Sequence, residues 1–147
     1  MHNTMGYERF ATSGELYMLL GLLLFCAGTL LGIPHGLAKR SGNIKRTELW
    51  RVAHLSTCLG GVSLIGLTVA VERLFADAAW YTVAPFSAAA FSFFLACSLS
   101  GWLNESWDDD RAKPSVAIIY ALQVFASALS VAAVAGMLVA IFLRVVP

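Results

Sequence analysis

The stretch "PSVAIIYALQVFASALSVAAVAGMLVAIFL", residues 114–143, runs for 30 residues without a charged side chain. About 20 such residues carry a helix across the hydrocarbon core of a bilayer, and a segment that is apolar on every side belongs in lipid rather than on the surface of a soluble domain. Pro114 suits the first helical turn, where its missing N–H would have had no partner. Ala126, Ser127, Ala128, Ser130, Ala132, Ala133 and Ala135 let a neighbouring backbone approach closely, which marks this helix as a packing element.

Working back toward the N-terminus, three more uncharged runs appear: Leu16–Ala38 (23 residues), Val52–Val71 (20) and Ala78–Asn104 (27). Of the 147 residues, 59% are hydrophobic and 13% charged, against about 25% charged in a soluble domain. The expectation is an all-α fold, a single four-helix integral membrane bundle with spans near 15–37, 51–71, 79–103 and 114–143. The first run follows Glu8, Arg9 and Glu15 without a basic leader, so it reads as a mature helix and not a signal peptide. Residues 1–13 are polar and read as an interfacial or frayed segment. The "GIPHG" around Pro34 and Gly36 predicts the end of the first helix. A loop of about 12 residues, "KRSGNIKRTELW", then leads to Trp50 as an interfacial anchor.

Charge sets an orientation. Lys39, Arg40, Lys45, Arg46 and Arg51 between the first two spans, with Arg111 and Lys113 between the last two, put seven basic residues on one side. Arg9, Arg73 and Arg144 put three on the other. By the positive-inside rule the two loops face the cytoplasm and both termini face outward, as in a multi-pass protein of a bacterial inner membrane. The net charge of +1 and the lack of a basic cluster interleaved with aromatics give no sign of a nucleic-acid partner; the partner implied is the bilayer. Cys26, Cys58 and Cys97 fall in different spans, without paired or CxxC spacing, and read as packing thiols.

The second span opens with "ELWRVAHLSTCLGG", residues 48–61, which places an imidazole inside it. Ionisable groups in a membrane are costly and often functional. Residues three, four and seven further on share the face of His54; they are Thr57, Cys58 and Gly61, all small, with Arg51 one turn back toward the polar boundary. An imidazole above such a shelf can admit a flat ligand, and haem b fits the outline: His54 as the axial metal ligand, Arg51 for the propionates, and Thr57, Cys58 and Gly61 as the seat. The same residues also suit a helix-packing groove built on Gly60 and Gly61, so both readings stand.

The segment "GELYMLLGLLLFCAGTLLG", the basic loop and "RVAHLSTCLGG" resemble the opening half of the small four-helix membrane isomerases that include styrene oxide isomerase and hydroxylaminobenzene mutase. The resemblance covers residues 14–70 or so and rests on the Ala53-His54 pair opening the second span. Gly60 stands where that family carries Asn, and Ser13-Gly14 where it often carries His-Gly. The resemblance implies a homotrimer with haem b between subunits, His54 as axial ligand, and ferric iron acting as a Lewis acid on a small aromatic substrate. The reaction implied is the redox-neutral conversion of an aryl epoxide to an aldehyde, or of an aryl hydroxylamine to an aminophenol.

Tyr120 and Gln123 sit about as far from their end of the last span as His54 does from its own, which makes them candidate catalytic residues for the same pocket. His35 is either a second haem ligand or an interfacial histidine. Asn104 and Glu105 read as loop residues. A haem electron carrier with two histidine ligands, and a non-enzymatic helical subunit, remain open beside the isomerase.

Overall fold

The structure, a computed structural model, describes the backbone of residues 4–74 and 79–145 and the side chains of 14–74 and 81–144. Five helices make it up: α1 (Thr4–Leu30), α2 (Gly32–Arg40), α3 (Ile44–Leu74), α4 (Ala79–Leu103) and α5 (Pro114–Val145), with no strand among the described residues. Four segments are long and apolar enough to cross a bilayer: Gly14–Arg40, Ile44–Leu74, Tyr81–Leu103 and Pro114–Arg144. This is the all-helical, multi-pass membrane architecture expected from the uncharged runs. The end of the second span at "VERLFADAAW" falls partly on residues 75–78, which lie outside the described residues.

Two boundaries differ from expectation. The first helix starts at Thr4 rather than near Gly14, so the polar segment is helical from residue 4 onward. Nor do Pro34 and Gly36 end it. Pro34 has no N–H for the Leu30 carbonyl four residues back, so the helix breaks at Leu31 and restarts as α2 with the proline in its first turn, where it is tolerated. The amide of Leu31 is shared between the Ala27 and Gly28 carbonyls at 3.0 and 3.1 Å.

The expected 12-residue loop shrinks to Ser41, Gly42 and Asn43. Gly42 takes the left-handed conformation, φ 72°, that commonly closes a helix. Asn43 caps α3, its side-chain oxygen accepting from the Arg46 amide at 2.9 Å. The 31 residues of α3 span about 46 Å at 1.5 Å per residue, longer than the roughly 30 Å hydrocarbon core.

Trp50 is not an interfacial anchor. It is 2% exposed, lies on the bare backbone of Gly101 and meets Trp102 edge-on at 6.0 Å. The glycine opens a slot on α4 that the indole fills, since a Cβ there would stand 2.6 Å from the ring.

Packing follows the order α1, α3, α4, α5, with α2 on α3 and α5 chiefly on α4. Leu24 of α1, Leu64 and Val71 of α3 and Val83 of α4 form the main core; a second, around Ala38, Trp50, Ala53 and Cys97, lies toward the loop side. On α5 the buried residues Ile119, Ala126, Ala133 and Ala140 recur every seven positions, the seam of a left-handed helix pair. Pro85 has no N–H for the Tyr81 carbonyl, and Gly136 of α5 packs against that same carbonyl. Of the three cysteines only Cys97 is a buried packing thiol; Cys58 is half-buried and Cys26 exposed.

The two loops share one side of the molecule. Lys45 at the start of α3 bonds Asp109 at 2.6 Å, and α4 ends at Asn104 in a left-handed conformation, φ 54°, with the Glu105 amide reaching back to the Ser100 carbonyl at 3.2 Å. Asparagine is the common substitute for glycine in this termination. Glu105 accepts from Ser115 and from Lys113, which ties the loop to the start of α5. These bonds hold the Glu105 carboxyl below the usual carboxylate range, the Ser115 hydroxyl contributing most. Asp109 is lowered likewise, first by Lys45 and then by the Ser106 amide.

Candidate functional site on the two faces of the second span

His54 lies ten residues into α3, beside the break between α1 and α2. Its Nδ1 is 2.7 Å from the Gly28 carbonyl oxygen. A carbonyl only accepts, so Nδ1 carries the proton and Nε2 carries the lone pair. Histidines that bind metals commonly donate one nitrogen to a fixed acceptor in this way, which sets the tautomer, steadies the ring and makes the other nitrogen a better electron-pair donor. The ring packs over Gly32, where an added Cβ would meet it at an ordinary 3.6 Å.

The small-residue shelf, in contrast, is not open within the chain. Thr57 is 3% exposed and Gly61 is buried. A Cβ on Gly61 would stand 2.6 Å from the Gly21 carbonyl and the Phe25 amide, and one on Gly28 would stand 2.6 Å from the Cys58 amide. Expected as the seat of a flat ligand, Thr57, Cys58 and Gly61 instead form a backbone-to-backbone seam with α1. The physical reason is that α1 carries Gly21 and Gly28 at matching heights, and the nearest body able to fill a groove of small residues is the preceding helix. The seam acts on the site indirectly, since it presses the Gly28 carbonyl onto His54. Arg51 points outward and pairs with Glu48 at 2.7 Å, both side chains about half exposed.

His35 is the residue whose placement sequence reasoning left open. Because the chain stays helical past Pro34, His35 sits on α2 with its ring 6.4 Å from that of His54 and inclined by only 20°. The signal was Pro34 itself, read as a stop when it marked a restart. Among the described residues no third His, Cys, Asp or Glu joins the pair to make a three-ligand cluster; a haem needs only one or two protein ligands.

On the opposite face of α3, Ser56, Leu59 and Gly60 form one wall of an open groove of about 500 Å³. Phe86, Ala89, Ala90 and Phe93 of α4 floor it, and Ala126, Ser127 and Ser130 of α5 form the other wall. It continues past Phe86 into a second hollow of about 330 Å³ between Ser63 and Met137. Gly60 therefore faces this groove and not His54. Gln123 lies on the α5 face that continues the groove wall, three and four residues before Ala126 and Ser127. Tyr120 is one turn further toward the loop side, capped by the Arg111 guanidinium at 4.0 Å from its ring centre. Within one chain the structure does not bring Tyr120 or Gln123 to His54: they belong to the groove side, because α5 packs on α4 and not on α1 or α2.

The chain matches no known family, no characterised protein and no solved structure.

Proposed function

We propose that the chain is a haem-b-binding membrane isomerase with His54 as its axial ligand, acting on small aromatic epoxides as styrene oxide isomerase does, or on aryl hydroxylamines as hydroxylaminobenzene mutase does. The observation that carries the reading is the bond from His54 to the Gly28 carbonyl, which leaves Nε2 basic and fixed in direction. When bound, ferric haem would supply a Lewis acid for the substrate oxygen. The chain's own residues do the rest. Gly21, Gly28 and Gly61 hold α1 against α3 and so keep the Gly28 carbonyl within hydrogen-bond reach of the imidazole. Arg51, at the polar boundary, can exchange Glu48 for a propionate, a charge-assisted bond of the same kind.

The two faces of α3 also bear on assembly. Contact between the His54 side of one copy and the α3–α5 groove of the next would be head-to-tail, an arrangement that forms a ring where the rotation between copies closes. We take this ring to be the homotrimer that the family resemblance implies. In it the groove wall of one copy, with Gln123 and Tyr120, would face His54 of the next and complete the substrate pocket. Orientation in the membrane follows the seven-to-three basic asymmetry: both loops cytoplasmic, both termini outside, in a bacterial inner membrane.

The proximity of His35 favours a second reading, a six-coordinate electron carrier. An absorption spectrum of the detergent-purified protein separates them. Haem that binds cyanide and is lost in His54→Ala but kept in His35→Ala supports the isomerase; haem that ignores cyanide and changes spin state in His35→Ala supports the carrier. A colourless preparation from haem-supplemented cells overturns both. Styrene oxide and phenylhydroxylamine, offered without an electron donor, then decide the substrate through phenylacetaldehyde or 2-aminophenol.

A further inference from the structure

The seven basic side chains of the loop side do not share one fate. Lys45 is held by Asp109, Lys113 by Glu105 at 3.2 Å and Arg51 by Glu48, while Arg111 is spent on the ring of Tyr120. Lys39, Arg40 and Arg46 have no ion pair among the described residues. All three stand at the α2–α3 turn. A concavity of about 190 Å³ opens there, lined by Lys39, Gly42, Ile44, Thr47 and Glu48, with Arg40 and Arg46 beside it in the chain rather than in its lining; the Glu48 carboxylate pairs with Arg51.

The apolar residues beside these cations complete the picture. Ile33 and Leu37 are four apart on α2 and both more than half exposed, and Arg40 continues their stripe one turn on. Ile44, at the tip of the turn, is 80% exposed among basic neighbours. The Cβ positions of Gly36 and Gly42 have open space around them. An apolar stripe that ends in unpaired cations at the membrane boundary matches one kind of molecule, an acyl chain carrying a negative headgroup. A free anion would leave the stripe uncovered.

We propose that the α2–α3 turn is a binding site for an anionic phospholipid, with the headgroup phosphate held by Lys39, Arg40 and Arg46 and an acyl chain lying along Ile33 and Leu37. Because α2 carries His35 and packs beside His54, a lipid bound there also steadies the helix that borders the candidate site.

The full-length protein, reconstituted in phosphatidylcholine vesicles, is titrated with spin-labelled phosphatidylglycerol or spin-labelled phosphatidylcholine, and the motionally restricted fraction is read by electron spin resonance. Phosphatidylglycerol should be selected over phosphatidylcholine. Each of Lys39→Gln, Arg40→Gln and Arg46→Gln should lower its relative affinity about fivefold, as expected for one cation at a charged membrane surface. Lys45→Gln, which removes an equal but already paired charge, should have a smaller effect. Inorganic phosphate, compared with chloride at equal ionic strength, should fail to displace the lipid. No selectivity, a triple variant with wild-type selectivity, or a Lys45→Gln loss equal to the others would each overturn the site. Displacement by inorganic phosphate would show the headgroup chemistry without the lipid and overturn the choice of occupant.

Discussion

The α1–α3 seam and the α3–α5 groove are cut from the same small residues, but the first is closed and the second open. Gly60 and Gly61 show how narrow the difference is. A Cβ on Gly61 would collide with the backbone of α1, whereas one on Gly60 would meet only the Ala90 methyl at an ordinary 3.7 Å. A step of 100° around the helix separates them. Small residues close a seam only where the opposite helix is also bare, as α1 is at Gly21 and Gly28. On the other side α3 and α5 are held apart by Phe86 and Phe93 on α4, and the space between them remains.

The largest effect should come from Gly61→Val. Forcing a branched side chain into a 2.6 Å gap should cost about 3 kcal/mol or more, read as a lowered thermal midpoint in detergent. Gly28→Val should match it. A wild-type midpoint for both would break the comparison, since the seam would then not be tight.

His54→Ala should lose most of the bound haem with a far smaller change in midpoint, because the imidazole holds only the Gly28 carbonyl and, weakly, the Cys58 thiol and makes no core contact comparable to the glycines. Retention of haem would remove His54 as the ligand. In the same spectrum His35→Ala should keep the cofactor.

The loop side should respond to pH modestly. Asp109 is lowered in the folded chain by Lys45, so its contribution is present above the ordinary aspartate range and disappears as pH falls through the lowered value, below about pH 4. Asp109→Asn should abolish that part of the acid sensitivity in a series of midpoints. An unchanged acid profile would mean the two loops are not tied through this pair.

Gly60→Ala should have the smallest effect, within about 0.5 kcal/mol of wild type. A large destabilisation would show that the groove is closed in the folded protein, and the contrast between the two glycines would be lost.

Much of the fold was legible in the chain. Thirty uncharged residues leave a helix few places but lipid, and four such runs with short connections leave little choice of architecture. The site was legible in part. His54 stood out because an imidazole is expensive in a membrane, and its face of small residues was visible from spacing alone. What filled that face was not, since spacing along α3 carries no information about where α1 has its own glycines. Trp50 shows the same limit: the slot at Gly101 that takes its indole lies about a third of the chain away.

By itself, then, the sequence determined the all-helical class, the membrane as its solvent, the side on which basic residues gather and the histidine of interest, because each depends on the composition and periodicity of one segment. Only the tertiary structure decided that Pro34 restarts a helix and so brings His35 beside His54. It also decided that the shelf beneath His54 is a seam, that Gly60 faces the groove, and that Tyr120 and Gln123 lie across the chain from the imidazole. Those outcomes depend on which surfaces meet, and in lipid that is settled by how closely two backbones can approach rather than by how apolar either one is.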